Sequence, residues 1–168
     1  MSDTADFWIE HLQLQPHPEG GWFREVYRSE ETIHAEFLSK RYQAGRCIAT
    51  SIYFLLKSGQ ISAFHRLKSD EIWHFYSGSP VRVYIIDPAG NLSEKILGRD
   101  ILNNEFLQLV IPHGCWFAAE VTVGASYSLI GCNVAPGFDF YDFELGAKAA
   151  LTACFPAYSQ LFDKMCIR

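Results

Sequence analysis

The sequence predicts an all-β sandwich, barrel or jelly roll. Between Cys47 and Val134, short runs rich in β-branched and aromatic residues recur about every ten residues. Each run ends in a cluster drawn from Gly, Pro, Ser, Asn and Asp, the residues that turn a chain between strands. The chain has 168 residues, the size of one domain, and shows no linker, internal repeat or low-complexity stretch.

Taken in order, residues 4–13 place Phe7, Trp8, Ile9 and Leu12 at helical spacing, with Thr4 or Asp3 as the cap. The segment QPHPEGG stops that helix with two prolines and two glycines. WFREVYRS (22–29) alternates as a strand, a candidate to pair with a second subunit, and residues 30–46 read as an irregular excursion. Strand runs then follow at 47–56, 61–66, 71–76, 81–87, 106–111, 116–121 and 126–134, separated by KSGQ, LKSD, SGSP, PAGN, PHG and TVGA. After Gly137 the composition shifts, and helix-forming runs are expected at about 144–154 and 156–165, with Pro156 in the first turn of the second.

Composition limits function. Apolar residues make up 49% of the chain and charged residues 20%, which excludes disorder. A net charge of −5 argues against a nucleic-acid partner. No apolar run approaches the ~18 residues of a membrane span, and the acidic N-terminal segment lacks the basic-then-apolar pattern of a secretion signal. The five cysteines are scattered and form no CxxC pair, so they are expected to be reduced and buried in a cytoplasmic protein. Aromatics at 15% point to a thick core, a subunit face or an aromatic-lined cavity.

The chemistry concentrates in SGQISAFHRLKSDEIWHFYSG. Gly59, His65, Glu71 and Gly78 are spaced so that His65 ends one strand, LKSD turns, and Glu71 opens the next. A second block, FLQLVIPHGCW, turns at Pro112 and Gly114. These blocks resemble the two motifs of the cupin superfamily. Gly59, His65, Glu71, Gly78, Pro112 and Gly114 match it, while Leu67 and Phe117 stand where the motifs carry His, Phe106 where they carry Gly and Val121 where they carry Asn. HPEGGWFREVYRS, SIYFLL, FHRLKSDEIWHFYSG, IPHGCWFAAEV and VAPGFDFYDFEL together resemble the type-five cupins, over nearly the whole chain. The resemblance implies a single cupin domain over 1–168. It would be a β-barrel or double-stranded jelly roll with a short N-terminal helix and C-terminal helices, usually homodimeric, with a ligand-sized cavity.

His65 and Glu71 are therefore the candidate catalytic residues, expected to meet inside the barrel. A lone buried carboxyl needs a partner, and His65 or an arginine is expected to supply it. Trp73, Gln108 and Phe117 are the candidate ligand-binding residues. A metal-binding cupin supplies three His and one Glu, and the losses at Leu67 and Phe117 predict no metal cofactor. The alternative set, His65, Glu71 and His74, would need a bulge, because strand parity turns His74 away from Glu71 and Trp73. Arg24 and Arg28, the HPEGGW residues His17 and Glu19, and the acidic block GFDFYDFE read first as surface, loop or packing residues, with Asp142 as a helix cap. The expected function is binding of a small molecule, partly apolar or sugar-like, with His65 as a proton shuttle in an isomerase- or epimerase-like step. The alternatives are a metal-dependent oxygenase or isomerase and a non-catalytic ligand-binding or structural dimer.

Overall fold

The computed structural model describes residues 4–122 and 127–167; the expected cap Asp3, the turn at 123–125 and Ser126 lie outside them. The chain opens with helix α1 (Ala5–His11), capped by Thr4, whose Oγ1 accepts the Phe7 N–H at 3.1 Å. Strands β1 (Gln15–Pro16) and β2 (Trp22–Arg28) follow, then the two-residue strands β3 (Thr32–Ile33) and β4 (Arg46–Cys47). The barrel strands are β5 (Thr50–Lys57), β6 (Ile61–Leu67), β7 (Asp70–Gly78), β8 (Val81–Ile86) and β9 (Leu92–Leu97). They continue with β10 (Glu105–Phe106), β11 (Gln108–Ile111), β12 (Trp116–Val121), β13 (Tyr127–Ala135) and β14 (Phe143–Leu145). Helices α2 (Lys148–Cys154) and α3 (Ser159–Met165) close the chain, with Pro156 in a single 3-10 turn between them.

Two six-stranded sheets stack, one in the order β1-β2-β5-β13-β7-β11 and the other β10-β9-β8-β12-β6-β14. The core lies between them, where inward residues of both sheets interdigitate, among them Phe54, Trp73 and Ile130 from the first and Val83, Phe117 and Val121 from the second. Each outer face is also partly covered. Helix α1 lays Trp8, Ile9 and Leu12 on Leu55, Tyr127 and Leu129, and the Trp8 indole donates to the Tyr127 hydroxyl at 2.8 Å. Helices α2 and α3 lay Leu151, Phe162 and Met165 on Phe64, Tyr84, Ile86 and Ala118. No helix among the described residues is long and apolar enough to cross a membrane. All five cysteines are free of disulfides; Cys154 is exposed and the other four are buried.

Three expectations are corrected. The helix expected from residue 144 starts at Lys148, because Phe143–Leu145 instead adds a last strand beside β6. Asp142 caps no helix. It is buried in a two-pronged ion pair with Arg46 (Nε–Oδ2 2.6 Å, Nη2–Oδ1 2.7 Å), and Asp139 caps the local turn by accepting the Tyr141 N–H. The excursion at 30–46 contains the β3–β4 ribbon and one 3-10 turn, Ala35–Phe37.

Candidate functional site

A cavity of about 420 Å³ opens between the sheets. Its walls are apolar, with Ile52, Phe54, Trp73, Val134 and Phe143 among them. Its polar residues include His17, Glu19, His65, Glu71 and Cys132, with Glu25, Arg28, Thr50, Asp139 and Tyr141 also in the lining. This combination of an apolar hollow and a few converging polar groups is the usual form of a small-molecule site.

Local irregularity in β6 builds the interior. Phe117 and Ala119 of β12 share a face, and they pair with His65 and Ser62. Residues three apart on a regular strand point to opposite sides, so the bulge between these pairs turns Ser62 and His65 to the same side. Both side chains then reach Glu19. The Ser62 hydroxyl donates to Oε1 at 2.8 Å, and His65 Nε2 lies 3.1 Å from Oε2.

Glu19 reaches that point through the HPEGG turn. Gly20 and Gly21 both take left-handed backbone, at φ +106° and +73°. A Cβ on Gly20 would collide with the Ile61 carbonyl oxygen, so the turn lies directly against β6. The Ala63 N–H donates to the Glu19 carbonyl at 2.8 Å and fixes the contact. His17 comes in with it, its Nδ1 3.3 Å from Glu19 Oε2.

Hydrogen-bond logic assigns the protons. A main-chain carbonyl can only accept, so the 2.7 Å contact between His65 Nδ1 and the Ala63 oxygen places a hydrogen on Nδ1; in the neutral ring that burial favours, Nε2 is then a lone pair. The Glu19 N–H can only donate, so His17 Nδ1 is an acceptor, at 3.3 Å. Glu19 Oε2 thus faces the His65 lone pair at 3.1 Å, and a His17 lone pair at 3.3 Å that the Glu19 N–H already shares, and bonds to His65 by carrying a proton itself. Burial works in the same direction. It pushes Glu19 well above the ordinary carboxylate range, aided by the neighbouring Glu71, and lowers His65 to about 3 and His17 to about 4. The contacts are neutral hydrogen bonds rather than ion pairs.

Glu71 is the second carboxyl, 7% exposed. Burial raises it to about 7. The Trp73 indole and the Cys132 thiol approach closely enough to temper that rise, but neither completes a well-formed hydrogen bond. Glu71 Oε2 and Trp73 Nε1 are left as buried polar atoms without partners.

The sequence-predicted residues separate at this point. His65, Glu71 and Trp73 line the cavity. The expected His65–Glu71 partnership gives way to His65–Glu19, and no arginine binds Glu71 among the described residues. Gln108 is exposed: β11 buries Leu109 and Ile111, so parity sends Gln108 and Val110 outward. Phe117 backs His65, ring to ring at 4.0 Å, and is packed in the core rather than set in the cavity wall. His17 and Glu19 sit in a loop and Arg28 is exposed, as expected, and all three also line the cavity. The double glycine is the available signal for the turn, but its destination 40 residues along the chain is not visible in the sequence.

The donors do not fit a metal. Leu67 and Phe117 are apolar, both ring nitrogens of His65 are engaged, and His74 lies outside the cavity lining that holds Glu71 and Trp73. Among the described residues no three His, Cys, Asp or Glu side chains are grouped to hold one.

Two facing sheets around a hollow, with a motif histidine and a motif glutamate inside it, define a cupin-type barrel. The chain matches the profile of the Cupin superfamily (DUF985), Cupin_5, over residues 6–146 and belongs to that family. It is similar to the Shewanella oneidensis protein SO0799, at 40% identity and TM-score 0.87, covering 99% of each chain. It is similar to a hypothetical protein from Leishmania major, at 34% identity and TM-score 0.90, covering 98% of this chain and 99% of that one. Uncharacterized protein YML079W of Saccharomyces cerevisiae is 32% identical over 146 residues, 80% of this chain and 71% of the yeast protein.

Proposed function

We propose that the barrel binds a small molecule and moves a proton on it, an isomerase- or epimerase-like reaction run without a metal. Glu71 takes a proton from the bound molecule, and the Glu19–His65 pair supplies one in return. The observation that carries this reading is the contrast between two carboxyls in one cavity. Glu19 is held protonated against two imidazole lone pairs, while Glu71, raised to about 7, is divided between acid and base near neutral pH. Carboxyls whose surroundings separate their proton affinities are the usual basis of acid and base roles. One proton leaves the substrate and one arrives, so its composition is unchanged.

The test starts with mass spectrometry of compounds released from the purified native protein. A released compound is returned to the protein in D₂O. We expect its mass to rise by solvent-derived deuterium, and Glu71→Gln and Glu19→Gln to slow that exchange by about 10²–10⁴-fold. Deuterium that never enters with the wild-type protein, or enters equally fast with both variants, overturns the reading.

A further inference from the structure

We infer that the cavity is built for an uncharged, mostly apolar molecule that brings a hydroxyl or carbonyl oxygen to Trp73 and Glu71, and that it refuses carboxylates and phosphates. This rests on the reading of the cavity as a ligand site, but not on proton transfer. Two unpartnered atoms carry it. Trp73 is 1% exposed, and its Nε1–H approaches Glu71 without completing a hydrogen bond; Glu71 Oε2 has no donor. Buried polar groups left unpaired are costly, and both belong to side chains that line the same hollow. A ligand oxygen can accept from the indole. A hydroxyl can also donate to the carboxylate, and a carbonyl can accept from Glu71 when that group is protonated.

Charge selects against anions. Among the described lining residues Arg28 is the one permanent cation, and it is committed. Its Nε and Nη2 hold the two oxygens of Glu25 at 2.9 and 2.7 Å, and Nη1 donates to the Phe138 carbonyl at 3.1 Å. Glu25 is neutralised with Arg28, and Asp139 and Glu71 line the same space, so a carboxylate or phosphate entering it would meet like charge and find no free counter-charge. An ammonium group would suit Glu71 but would set a second donor against the indole N–H. The apolar walls supply the rest of the binding.

Three matched probes test this on the intact chain by calorimetry at pH 7.5: toluene, p-cresol and p-toluate. We expect p-cresol to bind at millimolar concentration and p-toluate to bind at least about tenfold more weakly. Trp73→Phe keeps an aromatic wall and deletes the donor. It should weaken p-cresol about tenfold while moving toluene less than about twofold. Overturning results are p-toluate binding as tightly as p-cresol, no binding of p-cresol, or equal weakening of toluene and p-cresol by the substitution. The comparison of p-cresol with p-toluate needs only the wild-type chain, so it stands if Trp73→Phe fails to fold. Deuterium exchange without this selectivity would leave proton transfer intact and sink this inference; selectivity without exchange would do the reverse.

Discussion

Glu71 shows how one buried carboxyl couples the site to stability. Its folded pKa is raised from 4.5 to about 7, with burial as the first cause. Between those values the folded chain holds a proton that the unfolded chain has released. Stability from this group is therefore present at low pH and is lost as pH rises through about 7. Above that point the ionised, unpaired form costs the fold on the order of 3 kcal/mol, since each tenfold change in proton affinity corresponds to ~1.4 kcal/mol. Glu71→Gln removes the ionisation and retains the shape. Relative to the wild type, the variant should gain stability with rising pH, by about 3 kcal/mol between pH 4.5 and pH 8.5 in urea melts. His65 and His17 work in the opposite sense: their lowered values make the fold lose stability as pH falls below about 6.5, and they contribute equally to both proteins. A difference between the two proteins that stays flat across this range would show that Glu71 is not held in a costly state.

The HPEGG turn is the element that converts a strand pair into a site. It carries no strand residue, yet it delivers Glu19 and His17 against β6. Gly20→Ala forces a side chain into left-handed backbone and onto the Ile61 carbonyl. The expected cost is about 2–3 kcal/mol in chemical denaturation, with deuterium exchange slowed although no proton-transferring group has changed. Unaltered stability would mean that the turn is not locked against β6. The same element explains what can be read from the chain alone. Strands such as VRVYII and YSLIGCNV are legible because alternation and turn residues are local properties. The approach of residue 19 to residues 62–65 is a long-range contact with no local signature. ISAFHR likewise reads as an ordinary strand, since its bulge is set by the register of β12 and not by its own letters. Gln108 escapes a local reading for a related reason: FLQLVI is split between two sheets, and only QLVI pairs with β7, with Gln108 on its outward face. His65, Glu71 and Trp73 are legible because a motif and strand parity fix them; Glu19 lies in a motif too, HPEGG, but parity does not aim a loop residue.

At the scale of the molecule, strand β6 joins chemistry on one face to anchorage on the other. His65 enters the cavity, while its neighbour Phe64 points outward and is fully buried under the C-terminal helices. The Phe64 and Phe162 rings meet edge to face at 5.2 Å, and Phe162 and Met165 are both fully buried. The family profile ends at residue 146, before α2 and α3 begin, yet these helices cover the sheet that carries His65. Without them, Phe64, Tyr84, Ile86 and Ala118 would face water at about 25 cal/mol for each Å² of apolar surface exposed. Phe162→Ala isolates this contribution without altering a cavity residue. Deleting a fully buried aromatic ring costs about 3–5 kcal/mol, a large part of a domain's stability of about 5–15 kcal/mol. The urea midpoint should fall accordingly with an unchanged slope, and p-cresol affinity per folded molecule should be preserved. A loss below about 1 kcal/mol would mean that the helices rest on a sheet that stands by itself. A loss of the expected size, with the cavity intact, would place the fastening of β6 outside the barrel that its inner face serves.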